Sequence, residues 1–211
     1  DDEAKLWLEE ATEVMYTAFN RSNFQQEIFE LYHDLITFGT AAMFVEEDEE
    51  DLIKFSTRHI DEVYVAENEK GKIDTIFRKF HMTSRSLVQK FGNNVSQDIQ
   101  TSVKKNPYEE IQIIHAVYPR NEFNPKKKDK ANMPFESVYF EYKGGNELSL
   151  SGFKEFPFVV PRYLKASNEV YGRSPAMTAL PDVKMLNEMC KVTIKAAQKQ
   201  VDPPLLVPDD G

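Results

Sequence analysis

Cysteine is almost absent from this chain. Cys190 is the only one among 211 residues, so no intrachain disulfide can form and a reducing compartment is the natural setting. Histidine is scarce as well. His33, His59, His81 and His115 never stand at the spacing of HExxH, nor at zinc-ligand spacing with one another or with the cysteine. The chain also lacks a P-loop, a GxGxxG turn and a GxSxG elbow. His33 and Asp34 are neighbours on a predicted helix and so point apart, which makes a poor dyad. A hydrolase built on His33 or His115 would need a pocket that no pattern predicts. The expectation is a protein that is not an enzyme and takes no metal or cofactor.

No apolar run approaches the roughly 18 residues of a membrane-crossing helix, and no membrane role is expected. Positive charge is in deficit, with 26 Lys and Arg against 35 Asp and Glu and a net charge of −9. A protein that grips nucleic acid over a whole face is normally basic. The acidic balance still admits one that lets DNA pass, where tight phosphate contacts would act as a brake. Internal repeats and low-complexity tracts are missing too. With no Met at position 1 and an ending on VPDDG after VDPPLLV, the chain reads as an excerpt of a longer protein.

What is present reads as α+β. Residues 4–19 carry Leu6, Trp7, Val14, Met15, Ala18 and Phe19 at helical spacing. A second helix follows with Phe24, Ile28, Leu31, Tyr32, Leu35 and Ile36. Ser22 or Asn23 offers its N-cap, with Gln25 completing a capping box, and Gly39 ends it. The pattern then shifts to period two over residues 42–45, 53–56, 62–66 and 73–81, and Gly71 supplies a hairpin turn. Between the first two of these strands lie six consecutive acids, 46–51, expected in a solvated loop. The block lacks the Gly and the spacing of a calcium loop. Thr83 or Ser84 caps a helix to Phe91, Gly92-Asn93-Asn94 interrupts it, and residues 96–105 resume it until Pro107. A second β region is predicted at 110–118, 137–143, 147–150 and 158–164, with a hairpin turn at Gly144-Gly145-Asn146. The loop 119–134 carries Lys126, Lys127, Lys128 and Lys130. A basic loop tip is either solvated surface or a partner-facing patch.

Pro181 and Asp182 suit the first turn of a long helix. At 100° per residue, Val183, Leu186, Cys190, Ile194, Ala197 and Val201 form one apolar stripe. Met185, Met189, Val192 and Ala196 form a second beside it. Together they span roughly 200° of the circumference, against roughly 100° for an ordinary surface helix. Lys184, Lys191, Lys195 and Lys199, with Glu188 among them, occupy a narrow remaining edge. Such a helix is either central to a layered domain or flanked by subunits in a ring. Cys190, on the apolar face, is expected to be a small inert core residue.

Four strings in this order, FGTAAMFVEED, IDTIFRKFHMTSRSLVQKFG, FPFVVPRYLKASNEVYGRSP and EVYGRSPAMTALPDVKMLNE, resemble the portal (head-to-tail connector) proteins of short-tailed bacteriophages. The match runs along nearly the whole chain. The resemblance implies a structural subunit of a dodecameric ring at the capsid vertex, found in the virion and assembled in the host cytoplasm. It would pass double-stranded DNA without reading it and dock the terminase, scaffold or capsid proteins and the tail adaptor. By the family's plan residues 1–82 would form an outer wing, 83–106 a first stem helix region and 107–172 a clip. Residues 173–201 would hold a second stem helix, and 202–211 an exit segment. The motif Tyr171-Gly172-Arg173-Ser174-Pro175 would be the turn that introduces that helix, whose lysine edge would face the channel. Gly92-Asn93-Asn94 departs from the plan by breaking the first stem helix. The alternative from another class is a monomeric protein-interaction module that uses the acidic and basic loops.

Overall fold

A computed structural model describes residues 2–124, 126–127 and 129–203. The exit segment beyond Pro203 therefore lies outside the described residues. The fold is α+β: two N-terminal helices, two antiparallel sheets with two short helices, and one long C-terminal helix.

Helix α1 (Asp2–Arg21) and helix α2 (Phe24–Phe38) meet at an aromatic corner. Phe19 stacks on Phe24 at 4.8 Å, and Phe24 meets Phe55 edge-on at 5.0 Å. The expected capping box does not form. Asn23 precedes α2, but its side chain makes no cap bond. It pairs instead with a strand, accepting from the Phe55 N–H at 3.0 Å and donating to the Phe55 carbonyl at 2.8 Å. Glu27 continues the pattern, its carboxylate accepting from Thr57 N–H at 2.6 Å. Two helix side chains thus satisfy backbone groups along the outer edge of strand β2 that would otherwise recruit another strand.

Strand β1 (Ala42–Asp48) pairs with β2 (Leu52–Arg58) in register Ala42↔Arg58 to Asp48↔Leu52. This corrects the reading of the acidic block as a loop. Glu46, Glu47 and Asp48 belong to the strand, with Glu46 opposite Lys54, and only the remaining three acids make the tip. Lys54 stands across the ladder from Glu46 and offsets one of the three charges, while Glu47 and Asp48 face Ile53 and Leu52 and are held by the ladder itself. At the tip the Asp48 carboxylate accepts from the backbone of Glu50 and Asp51, and the Asp51 bond chiefly holds it below the usual carboxylate range.

Strands β3 (Val63–Glu67) and β4 (Ile73–Thr83) form the predicted hairpin, with Gly71 at φ +72°. Helix α3 (Ser84–Phe91), capped by the Thr83 hydroxyl, and helix α4 (Gln97–Lys105) are separated by one 3-10 turn at Gly92–Asn94. Then follow β5 (Glu110–Pro119), β6 (Phe135–Glu141), β7 (Glu147–Phe153) and β8 (Phe158–Val159).

The strands do not divide into the two β regions that the sequence suggests. One sheet has the order β2-β1-β8 and the other β3-β4-β5-β6-β7. Strand β5 pairs with β4, with Ile76 opposite Val117 and Phe80 opposite Ile113, so the apolar residues of both share one face. The strand expected over 158–164 shrinks to two residues. Pro157 and Pro161 bracket it and cannot donate to a ladder.

Three clusters fill the interior. Phe44, Ile76, Val117 and Phe158 lie between the two sheets. Leu87, Val95 and Ile99 of the α3–α4 segment cover Phe80 and Ile113 further along the large sheet. Leu31 packs on Met43 and Phe55 beneath α2.

Helix α5 (Pro175–Val201) begins six residues before the predicted start, and Pro181 lies inside it. Ser174 and Pro175 make the stronger signal: the Ser174 hydroxyl accepts from Met177 N–H, and Pro175 at the first helical position loses no bond. Interior Pro181 forfeits one bond to the carbonyl four residues back. Every residue from Ala176 to Val201 is exposed. Leu186 is 59% exposed and Val192 62%. Cys190, expected in a core, is exposed too. Helix α1 is similarly bare, with Trp7 at 66% and Val14 at 70%.

Candidate functional site

The most constrained place in the molecule is the root of α5, where three chain segments cross. Helix α2 ends at Gly39, whose N–H still reaches the Leu35 carbonyl at 2.9 Å while its φ of +79° turns the chain out of the helix. The backbone of Gly172 lies directly against it. A Cβ on Gly172 would sit 2.3 Å from the Gly39 carbonyl oxygen, and one on Gly39 would sit 2.5 Å from the Gly172 oxygen and the Ser174 nitrogen. Both positions require glycine because backbone meets backbone.

Hydrogen bonds hold the crossing. Thr40 Oγ1 accepts from the Gly172 N–H at 2.7 Å, in a buried bond between residues 132 apart in sequence. The Tyr163 N–H donates to the Gly39 carbonyl at 2.9 Å, and the Arg173 N–H to the Leu164 carbonyl at 2.7 Å. Ser174 has two jobs. Its hydroxyl caps α5 at Met177 and donates to the Thr37 carbonyl of α2 at 2.8 Å.

The connecting segment is anchored to the large sheet. Arg162 bonds the Glu67 carboxylate, the Val170 carbonyl at 3.1 Å and the Gly71 carbonyl at 3.2 Å. Lys165 reaches Glu67 at 2.6 Å. The Lys165 and Arg162 hydrogen bonds hold the Glu67 carboxyl below its ordinary range. The Tyr171 hydroxyl accepts from Val65 N–H at 3.2 Å and donates to the Val63 carbonyl at 3.4 Å, closing the free edge of β3. Arg173 pairs with Glu169, which raises the arginine and lowers the acid.

The predicted turn Tyr171–Pro175 is therefore a junction, each residue bonded or packed in its own way. Sequence reasoning missed its partners Gly39, Thr40, Glu67 and Arg162. Gly39, Thr40 and Arg162 lie in two of the quoted strings, yet nothing in a linear chain says that those strings touch. The lysines of α5 remain on the surface. Lys184, Lys191, Lys195 and Lys199 are exposed, and Lys191 is drawn to Glu188 at 2.9 Å. Lys126, Lys127 and Lys130 are exposed in a loop that folds against β7, where a Cβ on Gly152 would strike the Lys130 carbonyl. Lys128 lies outside the described residues. The two lysine sets stand on separate elements.

The four histidines stand apart in the fold, and His81 meets the Gln112 carboxamide at 3.4 Å. His33 and His59 line a groove of about 400 Å³ with Phe29, Glu30, Asp34 and Thr57. His33 Nδ1 lies 3.9 Å from Asp34, too far for a hydrogen bond. His59 bonds Asp61, which raises its pKa. His115 bonds the Ser137 hydroxyl at 2.9 Å, a spacing that suits a base and a nucleophile. It is 2% exposed, stacked on Tyr139 at 3.9 Å, and pushed down to about 3 by burial. A substrate has no access to it. Among the described residues no cluster of three or more metal-ligating side chains occurs, and no helix is long and apolar enough to cross a membrane.

A family profile described as bacteriophage head to tail connecting protein matches residues 1–210. The chain belongs to this connector family. Over 209 residues the connector chain is 38% identical to the portal protein of Salmonella phage epsilon15 and 32% identical to the probable portal protein of Bordetella phage BPP-1. Each alignment covers 97% of this chain and 38% of the relative. The connector chain thus spans under two-fifths of the length of these relatives. Three of the four strings that carried the family resemblance meet at the root of α5.

Proposed function

We propose that this chain is part of a structural subunit of a portal ring at a capsid vertex, with a channel for double-stranded DNA during packaging and ejection. The observation that carries the reading is α5. It is a bare 27-residue helix, about 40 Å long at 1.5 Å per residue, apolar over most of its circumference and clamped at its root. A lone surface helix buries a single stripe; this one has surface for neighbours on two sides. Both relatives bear the name portal protein, and the family membership supports the same reading.

In this proposal residues 173–201 hold the second stem helix, with Lys184, Lys191, Lys195 and Lys199 toward the channel as dispersed charges for passing phosphates. Residues 83–106 take the first stem position, 1–82 the wing and 107–172 the clip, with the Lys126–Lys130 loop facing a partner. Strands of the wing and clip ranges share one sheet, so these names mark positions along the chain and not separate folding units. Twelve subunits form the ring, the terminase, scaffold or capsid and tail adaptor proteins dock on it, and it resides in the virion after assembly in the host cytoplasm.

The first test is the native mass and electron-microscope image of the complete gene product. A closed ring of about a dozen is expected; a persistent monomer would favour an interaction module with charged loops. The second test is reversal of the four α5 lysines to glutamate. The ring should form while packaging or DNA retention changes, and unchanged packaging removes the channel-edge assignment.

A further inference from the structure

Where the small sheet looks onto the large one beside the last turn of α3, Arg58, Lys54, Arg78 and Lys90 stand against two carboxylates, Glu46 and Glu62. Arg58 lies opposite Ala42 and Lys54 opposite Glu46, so Arg58, Lys54 and Glu46 share the face of the small sheet that looks onto the large one. Across from them, Arg78, His115 and Tyr139 stand in one row over three strands. Lys90, in the last turn of α3, places its Nζ 4.6 Å from the centre of the Tyr139 ring.

Arg78 is satisfied. Its Nε and Nη2 both lie 2.8 Å from Glu62, and its guanidinium covers Phe80 at 3.8 Å. Arg58, Lys90 and the Tyr139 hydroxyl are in a different state. None of the three donates a hydrogen bond to a described residue, and neither cation has a described carboxylate within 4.0 Å. Arg58 and Tyr139 are half-buried, while Lys90 is exposed. Desolvation, then Arg78, pulls the Arg58 pKa down, and desolvation lowers Lys90. Burial pushes Tyr139 up to about 12, so its hydroxyl remains a donor. Glu46 is the nearest uncommitted acid and stays beyond ion-pair distance of both cations. A planar guanidinium fork, an ammonium and a phenol are grouped around the Phe44–His115–Tyr139 aromatic run, with Arg58 6.0 Å from the Phe44 ring, and groups of this kind hold an oxyanion. His115 beneath Tyr139 is neutral and adds no charge of its own.

We propose that the cluster of Arg58, Lys90 and Tyr139 binds a compact oxyanion of phosphate type. It lies apart from α5 and does not rest on the portal reading. Inorganic phosphate and the DNA backbone are the two sources of that chemistry.

The test is thermal unfolding of the purified protein in increasing inorganic phosphate, with sodium chloride holding ionic strength constant. Phosphate bound to the folded state should raise the midpoint with the logarithm of its concentration. Arg58→Gln and Lys90→Gln should each weaken the apparent affinity by roughly tenfold. Lys90 is exposed, so its substitution should leave the fold intact and keeps the test decisive if Arg58→Gln does not fold. Glu46→Gln, which removes the nearest repelling charge, should tighten binding. Displacement of phosphate by a short DNA duplex would identify the backbone as the source, and failure to displace it would identify free phosphate; either supports the site. A midpoint that responds to phosphate no more than to chloride, or equally in the Lys90 variant, overturns the proposal.

Discussion

Replacing Ser174 with alanine removes one oxygen atom and two bonds at the root of α5. The hydroxyl accepts from Met177 N–H at 2.9 Å and donates to the Thr37 carbonyl at 2.8 Å. Loss of a serine N-cap costs about 1 kcal/mol. Leaving the Thr37 carbonyl without this donor costs about 1 kcal/mol more, because Ser174 is only 1% exposed and water does not replace the hydroxyl freely. The total of about 2 kcal/mol corresponds to a fall in melting temperature of roughly 4–8 °C for a chain of this size. Ser174→Gly should cost less, since glycine is tolerated at an N-cap while the Thr37 bond is lost equally; the difference between the two isolates the cap. Urea denaturation gives the energies. Hydrogen exchange gives the location, with faster exchange expected in the first turn of α5 and the last turn of α2 together. If Ser174→Ala leaves the urea midpoint unchanged, or loosens α5 without α2, the hydroxyl does not join the two helices and the account of the junction fails.

Two further outcomes follow from the burial pattern. His115 stays neutral in the folded protein down to about pH 3, whereas the unfolded chain takes up its proton near 6.5. Its contribution is therefore intact above pH 6.5 and is lost as pH falls toward 3, at roughly 1.4 kcal/mol per pH unit; His115→Gln should flatten that part of the stability profile by chemical denaturation. Met189 is exposed on α5, so Met189→Glu should change the stability of the isolated chain by no more than about 0.5 kcal/mol. The same change should sharply reduce assembly of the complete gene product, measured by sedimentation.

The elements that local chemistry decides were legible in the sequence. Gly39 ends α2 in the left-handed conformation, Gly71 turns the hairpin, and Thr83 caps α3; each needs only its near neighbours. Misreadings arose where a distant segment set the outcome. Asn23 looks like a helix cap, but the unpaired backbone of Phe55 competes for its carboxamide and wins both ends of it. Half of the acidic block is strand because β2 lies beside it. The start of α5 was misplaced for a local reason: Pro181 fits the first turn of a helix, but Ser174-Pro175 fits it better, and the intervening turn tolerates one missing bond. The turn of the candidate site could be read, since YGRSP is one string. Its partners could not, because the Thr40–Gly172 bond joins residues 132 apart.

The crossing of Gly39 and Gly172 has a mechanical consequence. Helix α5 is a lever about 40 Å long, so a tilt of about 5° at its root would move its far end by about 3.5 Å, more than half a helical turn. Contacts through long side chains change rotamer and allow such play; two carbonyl–backbone contacts without a Cβ between them have no rotamers to change. In the proposed ring, small angular errors would add from one copy to the next until the circle failed to close. Two glycines in van der Waals contact make the angle a property of the backbone, identical in every copy.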